Sequence, residues 1–111
     1  MTRTVNVCPS AVVEAPFESV WELMTTPEGV NAWVDGVVVS AEPPGRFVPG
    51  QRLDLVAPAF GRNFAVTIEV LEVEPEARRL HLLATLPLGV VNDETISMAD
   101  AGGGRTFVQF G

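Results

Sequence analysis

The residues of this chain best suited to chemistry lie in the segment VVNDETISM, Val90 to Met98. It reads as a strand, so its side chains alternate between two faces. If Val90, Ile96 and Met98 point inward, Asn92 and Glu94 point inward with them, placing an amide and a carboxylate among apolar neighbours. A buried carboxylate is costly unless it is paired or sits at the wet mouth of a cavity. Arg62, in phase with the inward residues of its own strand, is the natural partner. Glu94, with Arg62 or Asn92, would then orient the polar end of an otherwise apolar ligand, or act as a general acid or base at a carbonyl. Two structural readings stay open beside these. One is an ion pair at a cavity rim, and the other is a bulge that turns Asp93 and Thr95 inward instead.

Other reactive residue types point away from catalysis. The single histidine, His81, is out of phase with Leu80, Leu82, Ala84 and Leu86 and shares the outer face with Arg79 and Thr85. Cys8 is the only cysteine, which excludes a disulfide framework and a cysteine zinc cluster, and it reads as a buried, inert thiol. Glu72, Glu74 and Glu76 gather around a turn without a neighbouring histidine, the pattern of a solvated surface, so neither a metal nor another cofactor is expected. The glycine triplet Gly102 to Gly104 is followed by a strand, where a phosphate-binding loop needs a helix, and no G-x-S-x-G is present. Trp21 and Trp33 recur at core spacing on helices and read as packing residues, with stacking on a ligand as the alternative. Phe47 and Phe60, in loops flanked by glycine and proline, are placed at a cavity lip.

The elements that must position these residues can be traced along the chain. Val5, Val7 and Val12 to Ala15 form a first strand interrupted at Pro9-Ser10. Pro16 opens a helix whose apolar stripe is Phe17, Val20, Trp21 and Met24, and Thr26 caps a second helix that ends at Asp35-Gly36. The period then changes to that of strands. Six are expected, over Val37–Ala41, Arg52–Ala57, Arg62–Val73, Arg79–Leu86, Val90–Met98 and Arg105–Phe110. Short loops between successive strands imply antiparallel pairing, and the class is α+β: a curved sheet of about seven strands with two short helices between the first and second. Alternation selects the concave face. Leu53, Leu55 and Ala57 share it with Phe64, Val66, Ile68 and Val70, and with Leu82, Ala84, Asn92 and Ile96. Of those residues Leu53, Leu55, Phe64, Val66, Ile68, Leu82, Ala84, Asn92 and Ile96, with Phe60, are the expected lining of a ligand site.

Composition narrows the partners. At 111 residues the chain is one domain able to bury roughly 65% of its unfolded surface, so a hydrophobic core suffices to fold it. Its formal charge of -7 and scattered arginines exclude the electrostatics of nucleic-acid binding and of docking on anionic membranes. No apolar run suits a membrane span or an export signal, and a cytoplasmic location is expected.

The segments APFESVWELMTTPEGVNAW and VVNDETISMADAGGGRTFVQFG resemble a START-like helix-grip domain, and more closely the small bacterial members of the SRPBCC superfamily called polyketide cyclase/dehydrase. The resemblance rests on Pro16, Val20 and Trp21, on Thr26-Pro27-Glu28, on Trp33, and on Asn92 to Thr95. It implies a long C-terminal helix after Gly111, lying across the sheet above a hydrophobic cavity. The sequence stops short of that helix, which suggests a truncated chain, a homodimer that covers the groove, or a shorter natural protein; the first is expected. Three functions follow from this reading. The leading one is a binder of a small hydrophobic molecule such as a lipid, a polyketide or an aromatic compound. The others are an aromatase/cyclase-type enzyme using Glu94 and Arg62, and an interaction module whose open groove receives a partner's helix.

Overall fold

The computed structural model describes residues 10–34, 36–59 and 61–111. Val5, Val7, Cys8, Pro9, Asp35 and Phe60 lie outside the described residues. The elements run β1 (Ser10–Val13), α1 (Phe17–Met24), α2 (Pro27–Trp33), β2 (Val37–Glu42), β3 (Arg52–Ala59), β4 (Arg62–Glu74), β5 (Arg79–Thr85), β6 (Val91–Gly102) and β7 (Arg105–Phe110). A single antiparallel sheet takes the order β1-β7-β6-β5-β4-β3-β2, so each strand from β2 to β6 pairs with its successor and β1 closes on β7. This is the expected α+β architecture.

Both helices follow from local chemistry. Pro16 occupies the N-cap of α1, one position before the expected one, and Glu18 lies in the first turn, where a carboxylate complements the positive end of the helix. Val20, Trp21 and Met24 are buried, as their spacing requires, and the Phe17 ring packs on Trp21 with centroids 5.4 Å apart. The Thr26 hydroxyl accepts from Gly29 N at 3.1 Å, capping α2, with Pro27 in its first turn. Gly29 is required here. A Cβ at this position would sit 1.8 Å from the Leu23 carbonyl oxygen, so only glycine lets the start of α2 pass so close to α1. The helices cover one end of the concave face, α1 against β6 and β7 and α2 against β2. Beneath them Leu53, Val70, Leu80 and Ile96 are fully buried.

The β2–β3 connection departs from expectation. Phe47, read as a cavity lip, is 3% exposed and belongs to the core. Long-range hydrogen bonds explain the difference. Phe47 N donates to Thr25 O at 2.8 Å, while the fully buried Gln51 side chain donates from Nε2 to Pro43 O at 2.7 Å and to Gly45 O at 3.0 Å. Gly50 N and Gln51 O in turn pair with the backbone of Val70. The loop is thereby folded down onto the sheet, and Phe47 fills space between the end of α1 and the strands. Val90, expected to begin the inward face of its strand, instead lies before β6 in the turn and is 55% exposed.

On the convex face Asp54 links three strands. It accepts from Ser40 Oγ at 3.0 Å, from Arg52 Nη2 at 3.3 Å and from Thr67 Oγ1 at 3.5 Å. The Ser40 hydroxyl, with Arg52 beside it, holds the Asp54 carboxyl below its ordinary range.

Because Phe47 is a core side chain, Phe47→Ala should lower unfolding stability by about 3–5 kcal/mol in urea denaturation. A change below about 1 kcal/mol would return the residue to a lip.

Candidate functional site

The register of the central strands assembles the site row by row. Leu53, Ile68, Ala84 and Asn92 are successive cross-strand partners from β3 to β6, and Val70, Leu82 and Glu94 form the next row. Side chains of one row project from the same face. The helices and the Phe47 loop cover the end that holds Val70 and Leu80. Beyond them the concave face opens into a cavity of about 380 Å³.

The cavity wall is apolar. Leu55 and Ala57 contribute from β3, Val66 and Ile68 from β4, Leu82 and Ala84 from β5, and Ile96 from β6. Trp33 and Val34 close it at the end of α2, where the Trp33 ring meets Phe110 of β7 with centroids 6.1 Å apart. The Trp33 indole N–H is buried and has no hydrogen-bond partner among the described residues. Leu86 stands at the mouth, next to the turn Pro87–Gly89, whose Leu88 has a left-handed φ of 67° and a wholly exposed side chain.

Two polar side chains interrupt this wall, Asn92 and Glu94. Asn92 Nδ2 donates to Glu94 Oε2 at 2.5 Å. Glu94 is half-buried and Asn92 exposed, so the pair sits where the apolar wall meets solvent. Asp93 points the other way and contacts His81 Nε2 at 2.5 Å on the convex face, with Glu72 4.0 Å from the other ring nitrogen. The bulge that would have turned Asp93 and Thr95 inward does not occur between β5 and β6, whose register is unbroken from Thr85–Val91 to Arg79–Ser97.

Arg62 is not the partner of Glu94. Arg62 pairs with Ala59 at the start of β4, whereas Glu94 is in register, through Leu82, with Val70, eight positions further along that strand. At about 3.3 Å per residue this is roughly 26 Å. Face parity was legible for Arg62, but a partnership across three strands depends on register, which parity leaves open. The other expected lining residues divide. Leu55, Val66, Ile68, Leu82, Ala84, Asn92 and Ile96 line the cavity, while Leu53 is fully buried in the core beneath the helices. Phe64, cross-strand from Ala57, is half-buried and is not part of the wall. Phe60 lies outside the described residues. Val34 and Phe110 were not anticipated. For Phe110 the signal existed, because it shares a face with the buried Thr106 and Val108.

Among the described residues no group of three or more histidine, cysteine, aspartate or glutamate side chains is placed to hold a metal ion. In the acidic turn, Glu74 pairs with Arg79 at 3.2 Å, and hydrogen bonding to Glu72, followed by Arg79, holds its carboxyl below the ordinary range. No helix among the described residues is long and apolar enough to cross a membrane.

Over residues 4–111 the sequence matches the family described as polyketide cyclase / dehydrase and lipid transport. No curated protein matches significantly. Several solved structures share the fold. CalU16 from Micromonospora echinospora superposes with a TM-score of 0.66 at 18% identity, over 93% of this chain and 55% of its own. Ms6760 from Mycobacterium smegmatis gives 0.72 at 18% identity, over 93% and 69%. TTHA0849 from Thermus thermophilus gives 0.67 at 23% identity, over 95% and 71%. The chain therefore spans little more than half the length of the first of these.

The separation of Arg62 from Glu94 has a direct consequence. In a double-mutant cycle with Arg62→Ala and Glu94→Gln, the two stability changes should add to within about 0.5 kcal/mol. A coupling above about 1 kcal/mol would restore the ion pair.

Proposed function

The chain belongs to the polyketide cyclase/dehydrase and lipid transport family, and from that premise we propose that it binds a small, predominantly apolar molecule in the cavity on its concave face. The observation that carries this reading is the cavity wall. Aliphatic side chains from four strands, with Trp33 and Phe110, line a half-open cavity of about 380 Å³, inside the range of roughly 300–1,000 Å³ in which small-molecule sites fall. Burying an apolar ligand against that wall supplies the affinity, and the Asn92–Glu94 pair at the mouth orients its polar end. A lipid, a polyketide or an aromatic compound would each meet these requirements.

A second reading is favoured by one observation, the carboxylate within the wall. From that wall Glu94 would exchange a proton with a carbonyl-bearing ligand, as an enzyme of the cyclase kind would require. Arg62 has no part in it, being at the far end of β4. The family description covers both transport and catalysis, and the two differ in what they ask of Glu94.

Ala84, half-buried in the wall, is the position at which the cavity can be filled without disturbing the covered core. Ala84→Phe should weaken binding of an environment-sensitive dye such as Nile red at least tenfold while circular dichroism and urea midpoint stay close to the parent. Full retention of binding would sink the cavity reading. Glu94→Gln should leave Nile red affinity within about threefold. If the protein turns over a carbonyl substrate, the same change should abolish that turnover.

A further inference from the structure

The chemistry of the Asn92–Glu94 pair selects one kind of polar end. At neutral pH a glutamate carboxylate offers only acceptors, so the Asn92 amide must turn its NH₂ towards it; the opposite orientation would set oxygen against oxygen. The observed bond, Nδ2 to Oε2, is that arrangement. It engages one N–H of the amide and leaves Asn92 Oδ1 and Glu94 Oε1, both acceptors, together with the second Asn92 N–H, without a protein partner among the described residues. Among the described residues the other N–H donor on a lining side chain is that of the Trp33 indole, whose nitrogen is buried. Arg62, the cation that would have reversed the preference, is displaced along β4 by eight positions from the row of Glu94.

We infer that the cavity selects apolar ligands whose polar end donates hydrogen bonds, such as a phenol, an alcohol or an amine, and rejects those ending in a carboxylate. This rests on the apolar-binding reading above and specifies it. A donor satisfies Glu94 Oε1 or Asn92 Oδ1 when water leaves the mouth. A carboxylate brings a second negative charge beside Glu94 in surroundings less polar than water, where like charges repel more strongly, and the second Asn92 N–H can serve only one of its two oxygens.

The test uses four probes of nearly equal size, naphthalene, 2-naphthol, 2-naphthalenemethanol and 2-naphthoate, titrated calorimetrically into the whole chain at pH 7.5. The naphthol and the methanol should bind at least tenfold more tightly than the naphthoate, with naphthalene between them. Glu94→Gln removes the charge and adds a donor, and should narrow the span between naphthol and naphthoate to about threefold. Equal or tighter binding of naphthoate to the parent protein, or a span unchanged in Glu94→Gln, would overturn the selectivity while naphthalene binding left the apolar cavity standing. Failure of all four to bind, naphthalene included, would overturn both.

Discussion

The register between β4, β5 and β6 sets Ile68, Ala84 and Asn92 in one row and Val70, Leu82 and Glu94 in the next. A slip of one residue in any of these pairings would exchange faces, exposing the aliphatic wall and burying Thr67, Glu69, Thr85 and Asp93 in its place. The cost of burying those groups is what makes the register unambiguous. It also delivers Asn92 and Glu94 to the cavity, because the strand that supplies Ile96 and Met98 to the core cannot supply them without its other inward residues.

Coverage of the concave face is graded along the strands. At one end α1, α2 and the loop held by Gln51 seal Leu53, Val70 and Leu80. Towards the other end the same face continues without that cover, and the residues change from fully buried leucines to the half-buried Ala84 and Val66 and then to Asn92. The polar pair lies at the transition. There Glu94 keeps contact with water while remaining within reach of a molecule in the cavity, which allows an apolar site to hold a carboxylate that no arginine among the described residues neutralises.

Much of this was legible in the sequence. The strand periods of β3 to β6 assign the inward set, Val90 apart, including Asn92 and Glu94, since alternation is a local property and the apolar residues mark its phase. Thr26-Pro27-Glu28 located the start of α2 for the same reason, its capping chemistry being local. What was missed is non-local. Phe47 sits in a segment that reads as an exposed turn, and it becomes core through bonds to Thr25, 22 positions earlier, and through a loop stitched by Gln51. The pairing of Arg62 with Glu94 required a register across three strands, and parity carries no such information. Leu53 and Leu55 are indistinguishable by pattern. Both are buried in the core, yet only Leu55 borders the cavity.

The central claim is that the concave cavity is where an apolar molecule binds, and methyl NMR tests it most directly. On titration with naphthalene, the methyl resonances of Leu55, Val66, Ile68, Leu82 and Ala84 should shift together along one saturable curve, while those of Val56, Ala65 and Leu83, from the opposite face, stay in place. Shifts confined to Val56, Ala65 and Leu83, or none at concentrations near the solubility of naphthalene, would contradict the account.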